Sequence, residues 1–522
     1  MILCLITLLF LLYLPTQHAM LMYQQNRYRN DRYHVWLKDT IHTSYQTILS
    51  IMGILMINYL LFLLPAGQIP QYFFITLLLI FIYVSYKQVQ LHPYRKPLQY
   101  TGRVKRLYAV LYGIYFLLLL IILHCTTIWF WIFMTPFIYI MPWVLIMLAG
   151  IVVLPIEQGI QRMYMNDAKA MLHGIQGLQC IGITGSYGKT SVKHILYEMV
   201  KQDWLTLMTP KSYNNRMGIT LTIRQMLKPI HELFLCEMGA DHIHEISELM
   251  SFVQPKIGVV TAIGPQHLQT FKTMEAIIQE KMQMIEKLSP DGIGFLNMDN
   301  PYITSWQIKN SCTIIWFGSH MNADYRIRNI RYTKEGTSFD IVHLQKRHEI
   351  HTKLLGEHNV LNITCAIAIA HTLGISWEKL VDVCHRLPYV EHRLQKIESE
   401  SYTILDDAYN ANPQGARYAL DVLRQMTSKR FLVTPGFIDL GERQSIENYK
   451  LGRNIIGCAD EVILVGKVQT QQIAKGLLEA GFPPEHLYVV ATIHDAFQIL
   501  QEKAGQEDVV LIENDLPDAF NH

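Results

Sequence analysis

Residues 180–200 read CIGITGSYGKTSVKHILYEMV. Ile181 and Ile183 end a short apolar strand, Gly185, Ser186, Tyr187 and Gly188 make a turn, and Lys189, Thr190 and Ser191 open a helix. A glycine turn of this kind points backbone N–H groups at a phosphate, and the helix N-terminus adds its dipole. The lysine then reaches the β/γ-phosphates and the hydroxyl holds magnesium. A generic P-loop has glycine where Ile183 stands, so the general pattern is missed. The shorter form T-G-S-x-G-K-T-S is complete. A chance glycine turn is the bland alternative; a strand before it and a helix after it argue for a phosphate loop.

Ordered motifs continue toward the C-terminus: SYNNRMGITLTI (212–223), LCEMGADHIHEI (235–246), PKIGVVTAIGPQHLQTF (255–271), LNMDNP (296–301), GEHNVLN (356–362), LDDAYNANP (405–413) and GFIDLGE (436–442). Together with the short phosphate loop they resemble the Mur ligase family, the ATP-dependent ligases that assemble the peptidoglycan stem peptide. They are most similar to its D-alanyl-D-alanine-adding members. The resemblance covers most of residues 179–450. It implies an α/β fold: a P-loop central ATP-binding domain over 157–385 and a Rossmann-like C-terminal domain over 386–522.

Amide formation at neutral pH needs an activated carboxylate. ATP supplies it as an acyl phosphate, which an amine then attacks. Phosphoryl transfer depends mainly on positioning and charge stabilisation. Gly185, Ser186, Gly188, Lys189, Thr190 and Ser191 supply the cradle. The resemblance makes Glu237, at a strand end, the magnesium carboxylate beside Thr190, and His267 a second metal ligand. A histidine is chemically unusual there, since magnesium prefers oxygen. Lys281 lies on an amphipathic helix, where a lone lysine reads as a solvated face. By resemblance it falls where many relatives carry a carbamylated lysine, an anionic oxygen ligand. Asn214 and Asn215 resemble the pair near the γ-phosphate and acceptor. Asn297, His358 and Asn359 resemble positions around the base, although Asn297 and Asn359 equally suit turn caps. Arg393 and Asp407 resemble residues that close over ribose and phosphates, with Asn410 and Asn412 completing the site. The cofactors implied are ATP and Mg2+.

The N-terminal part differs in kind. The 522 residues are 50% hydrophobic and 17% charged, yet before Glu157 the only acids are Asp31 and Asp39. Soluble domains carry about 25% charged residues. Five apolar segments stand out, at 2–14, 46–65, 71–86, 107–124 and 127–155, against the roughly 20 residues a membrane-spanning helix needs. One connecting loop carries Arg27, Arg29, Arg32 and Lys38; another carries Lys87, Arg95, Lys96, Arg103, Lys105 and Arg106. The positive-inside rule puts both on the cytoplasmic face. These features predict an α-helical five-span domain over 1–156 in a bacterial-type plasma membrane, N-terminus outside and catalytic domains cytoplasmic. A cleaved signal peptide over the first segment is the alternative, but a basic leader and a small-x-small site are lacking. The second basic loop reads as a topology determinant or as a site for lipid phosphate.

Two departures bear on substrate. Only about 20 residues separate the last apolar segment from the P-loop strand, where relatives have a UDP-substrate domain. The usual basic KGSR run is replaced by VVLIENDLPDAFNH (509–522). The expectation is a membrane-bound ligase joining an amino acid or a D-Ala-D-Ala-like dipeptide to a cell-wall precursor, lipid-linked or UDP-linked, with membrane lipid as a further partner. The alternatives are a poly-γ-glutamate-like ligase and a non-catalytic membrane scaffold. The retained Lys189, Thr190, Glu237 and His267 argue against the scaffold. A net charge of +2 gives no case for nucleic acid, and the cysteines show no metal spacing.

Overall fold

A computed structural model of the chain describes residues 2–43, 97–123, 128–266, 268–333, 336–390, 392–399, 401–408, 412–438, 440 and 443–513. It divides into two units, Met1–Met163 and Tyr164–His522.

The first unit is helical: Ile2–Gln25, Asn30–Thr43, Gly102–Leu123 and the opening of Ile128–Gly174. Some of its apolar residues pack inward, with Leu12, Met20, Tyr23, Tyr33, Leu107, Leu111, Ile146 and Val153 in one core, while others such as Phe116, Leu117, Val144 and Ile151 are exposed. Trp36 stacks on Trp143 at 5.8 Å. The basic residues are used in packing: the Arg103 guanidinium lies 4.2 Å from the Tyr28 ring, and Arg106 pairs with Glu157 at 2.6 Å.

The multi-pass expectation is corrected here. By length and composition, one helical stretch among the described residues, Met141–Gly174, could cross a membrane. The segment expected at 2–14 is the start of a helix that runs through Pro15 to Gln25. That at 107–124 corresponds to Gly102–Leu123, and that at 127–155 opens a helix ending at Gly174. The segments 46–65 and 71–86, with Lys87, Arg95 and Lys96 of the second basic loop, lie outside the described residues. An apolar run long enough to span a bilayer is also what a buried core helix requires. The sequence pattern does not separate the two, and the described residues do not carry five spans or an orientation.

The second unit holds two sheets. In the first, β1 (Gln179–Thr184), β2 (Thr206–Met208), β3 (Leu233–Glu237), β4 (Ile257–Val260), β5 (Ile293–Asn297) and β6 (Thr313–Gly318) are parallel. β7 (Tyr325–Thr333) continues parallel to β6, and β8 (Gly336–His343) and β9 (Lys346–Thr352) extend it antiparallel. The order is β2-β3-β1-β4-β5-β6-β7-β8-β9. The strands read as near-continuous apolar runs because helices cover both faces, as in β3, where all of LFLCE is buried. The chain leaves β1 toward one edge and returns at β4 toward the other. That reversal is where α/β sheets bind ligands, beyond the strand C-termini.

The second sheet has the order β10-β11-β15-β12-β13-β14: β10 (Gln395–Glu398), β11 (Thr403–Asp407), β12 (Arg430–Thr434), β13 (Glu461–Val465), β14 (Leu487–Val490) and β15 (Val509–Glu513). Only β10 is antiparallel. Two helices on this sheet, Gln444–Asn454 and Gln471–Glu479, cross through small residues. A Cβ on Gly452 would run into the backbone carbonyl of Ile473, and one on Gly476 into that of Tyr449. Backbone cannot give way as a flexible side chain can. Gly452→Ala is therefore expected to destabilise the second unit by about 1–3 kcal/mol, read as an earlier midpoint in chemical denaturation with unchanged slope.

Candidate active site

The turn after β1 is held open by its neighbours. Gly185 has φ +146° and Gly188 φ +81°. A Cβ on Gly185 would strike Thr261 Oγ1, and one on Gly188 would lie 2.6 Å from Asn362 Oδ1. Both positions therefore exclude side chains twice, by conformation and by space. The loop after β4 braces the turn. Ser186 N–H donates to Ala262 O at 2.6 Å; Ser186 Oγ donates to Gly264 O at 3.0 Å and accepts from Gly264 N–H at 3.1 Å. Thr261 Oγ1 bonds to the carbonyls of Tyr187 and, at 3.2 Å, Thr184. Tyr187 O–H reaches Pro265 O at 3.0 Å.

The loop after β5 braces this second loop in turn. Asn297 Nδ2 donates to Thr261 O at 3.0 Å and Asn300 Nδ2 to Ile263 O at 2.9 Å. Asn297 Oδ1 also accepts from Asp299 N–H at 2.9 Å. Both ends of the Asn297 amide are thus engaged in holding loops together.

Lys189 folds back over the turn, with Nζ donating to Gly185 O at 2.5 Å and Ser186 O at 3.2 Å. Burial pushes its ammonium down to about 7, aided by the charges of Lys281 and Arg393 and opposed by Glu237 and Asp241. Glu237 closes β3, in register with Ile183 of β1, and is 1% exposed. Its Oε2 accepts from Lys193 Nζ at 2.9 Å and its Oε1 from Asn214 Nδ2 at 3.0 Å. Burial opposes its ionisation, but the Lys193 and Lys189 ammoniums and the two hydrogen bonds outweigh it and hold the carboxyl below its usual range. Lys281 is buried too; Nζ donates to Ala240 O at 3.2 Å. Burial pushes it down to about 8, against Glu280, Asp241 and Glu245. The expected solvated face for a lone lysine is not what this position is.

Several expected site residues have local duties. Asn215 caps the helix Arg216–Met226 through Gly218 N–H. Asn412 caps Pro413–Arg424 through Gly415 N–H. Asn359 Nδ2 donates to Leu355 O at 2.8 Å. His358 stacks on Tyr418 with ring centroids 5.6 Å apart. Its Nδ1 is buried without a partner, and burial, then the Arg393 charge, push it down to about 4. Asp407 Oδ1 accepts from Leu394 N–H at 3.0 Å, and burial pushes this carboxyl and its strand neighbour Glu513 up together. His267 and Asn410 lie outside the described residues.

Among the described residues no group of three or more His, Cys, Asp or Glu is placed to hold a metal. The donors that do fit magnesium are oxygens: the Glu237 carboxylate, with one lone pair still open on each oxygen, and the Thr190 hydroxyl one residue past the lysine. Such a site leaves remaining positions to water and phosphate, the usual habit of magnesium. Lys193, Thr261, Asn300 and Asn362 were not singled out from sequence. Lys193 stands one helical turn beyond Lys189, among Val192, Ile195 and Leu196, and that apolar setting was the available signal.

Comparison with known proteins bears on the whole second unit. The Mur ligase middle domain matches residues 183–370, and the Mur ligase glutamate ligase domain matches 392–513. The UDP-N-acetylmuramoyl-tripeptide–D-alanyl-D-alanine ligase of Bacillus subtilis (strain 168) is 30% identical over 348 residues, 66% of this chain and 74% of its own length. The MurF structure from Acinetobacter baumannii superposes with a TM-score of 0.61 at 25% identity, covering 69% of this chain and 78% of its own. The Thermotoga maritima MurF ligase in complex with ADP has a TM-score of 0.61 at 23% identity, covering 68% and 80%, a likeness of fold.

The His358 environment gives a pH signature. Its folded-state value lies below the usual 6.5, so the unfolded chain takes up the proton first as pH falls. Stability is then lost between about 6.5 and about 4. His358→Asn is expected to flatten that part of the profile, measured by denaturant unfolding across the window.

Proposed function

From the premise that this chain belongs to the Mur ligase family and is an ATP-dependent, ADP-forming amide ligase of peptidoglycan precursor synthesis, we propose that it joins a D-alanyl-D-alanine-like dipeptide to a UDP-linked muramoyl tripeptide. The single observation that carries the site assignment is the doubly braced turn at 185–188, set beside the strand-end carboxylate Glu237. The lipid-linked acceptor and membrane-lipid partner expected from the apolar N-terminal segments are set aside with the five-span topology that motivated them.

In this reading a carboxylate oxygen of the tripeptide attacks the γ-phosphorus of ATP and ADP leaves. The dipeptide amine then attacks the acyl carbon, expels phosphate and loses a proton. The turn and the start of the helix Lys189–Val200 present N–H groups to the phosphates. Lys189 exchanges its two carbonyl acceptors for phosphate oxygens, a charge-assisted and stronger bond. Asn214, in the loop that precedes the helix Arg216–Met226, donates to Glu237, a place from which it would align the acceptor beside the phosphate. Magnesium, when bound, neutralises charge developing on the transferred phosphoryl group, and Glu237 and Thr190 would hold it. Lys281, buried and pushed down to about 8, reaches more readily than an ordinary lysine the neutral amine that carbamylation by carbon dioxide requires. The Arg393 charge reaches both His358 and Asp407, which supports reading the three as one group that would face the nucleotide.

Lys189→Ala is expected to lower product formation by about 10²–10³-fold while the chain stays folded. Mass spectrometry after incubation with ATP, D-alanyl-D-alanine and the UDP-linked tripeptide reads the outcome. Undiminished product in the folded variant would remove Lys189 from the chemistry.

A further inference from the structure

Lys193 is fully buried, at 0% exposure. It lies on the inward side of the helix Lys189–Val200, where the other buried positions are mostly apolar. Its Nζ has three protons and makes two bonds, to Glu237 Oε2 at 2.9 Å and to Lys211 O at 2.6 Å. Lys211 is itself held at φ 46°, just before Asn214. One ammonium therefore ties together the helix of the phosphate loop, the loop carrying Asn214, and the strand end carrying Glu237.

A buried ion pair is a poor device for stability alone. Its desolvation cost offsets much of its attraction, and apolar residues of similar volume often do as well. An ionised carboxylate offers about four lone-pair sites. Lys193 takes one on Oε2 and Asn214 takes one on Oε1, which leaves one on each oxygen in a fixed orientation.

We propose that Lys193 is a positioning residue that fixes Glu237, through the Glu237–Lys193–Lys211 linkage, in the orientation that receives a divalent cation arriving with nucleotide. The proposal rests on Glu237 being the metal carboxylate. It assigns to Lys193 an effect opposite in sign to its bare charge. A positive charge beside a cation site weakens cation binding, so its removal should tighten the site. A residue that positions the ligand does the reverse.

The test uses Mn2+ as the probe, with the full chain and ADP present, and reads free Mn2+ by electron paramagnetic resonance. Lys193→Met is neutral and of similar volume; Lys193→Gln is shorter and cannot span both acceptors. Each is expected to weaken Mn2+ binding about tenfold or more, a larger factor than any change in metal-free ADP binding. Mn2+ affinity equal to or tighter than that of the native chain in a folded variant overturns the proposal. Glu237→Gln separates the two levels. If it leaves Mn2+ affinity intact, the assignment of Glu237 fails. If it abolishes binding while the Lys193 variants retain it, only the role of Lys193 fails. Should both single variants unfold, and whether or not Lys193→Met/Glu237→Gln restores folding, Lys193 is a structural residue and the proposal falls.

Discussion

A phosphate-binding turn has to keep backbone donors available for its ligand, so it cannot stabilise itself by pairing them internally. Its shape must be imposed from outside. In this chain the imposition runs mostly through carbonyls and side chains, with Thr184 O and Tyr187 O held by Thr261, the Ser186 hydroxyl by Gly264 and the Tyr187 hydroxyl by Pro265, although Ser186 N–H is also given to Ala262 O. The bracing loop is then fixed by Asn297 and Asn300. Three consecutive strand ends, β1, β4 and β5, thus form one rigid rim. The parallel sheet matters because it brings those three ends to the same edge in adjacent positions.

The same rim concentrates positive charge. Lys189 and Lys193 come from one helix, Lys189–Val200, and Lys281 from another, Met274–Glu286, and the Arg393 charge is felt at Lys189. Burial pushes Lys189 and Lys281 down from their usual values, which is the cost of assembling ammoniums where water is scarce. A polyphosphate relieves that cost. Opposite charge within reach of Lys189 favours its charged form, so part of the binding energy is stored in the arrangement of the protein before the ligand arrives.

Much of this was legible in the sequence, for physical reasons that can be named. The strand, turn and helix at 180–200 are local events: alternating apolar residues, glycines at positive φ, a helix-opening hydroxyl. Glu237 was legible because it ends an apolar run that only a buried strand explains. Lys193 was not, because burial of a helical lysine depends on which strand end it faces, and that is tertiary information. Asn215 and Asn412 were read as site residues, and the structure gives each a capping duty, foreshadowed for Asn412 by the proline that follows it at the helix start. The apolar N-terminal runs misled for the converse reason. Length and hydropathy register that a residue leaves water, not whether it meets lipid or other side chains. Leu12, Leu107 and Ile146 meet one another.

The three lysines, Lys193 and Lys281 buried and Lys189 half-buried, are also not equivalent, and their acceptors rank them. Lys189 donates to two neutral carbonyls and Lys281 to one, while Lys193 donates to a carboxylate and a carbonyl. An ammonium's bond to a carbonyl is already charge-assisted, and an anionic acceptor adds ion–ion attraction to it. A phosphate oxygen therefore outcompetes the carbonyls that hold Lys189, and the exchange is favourable. It gains much less by competing with Glu237 for Lys193, and it would leave a buried carboxylate uncompensated, which is strongly unfavourable. Phosphate recruitment falls to Lys189, and Lys193 stays where it is when the ligand enters. One helix carries both lysines a single turn apart, one free to change partner and the other bound to hold still, because only the second was given a charged partner of its own.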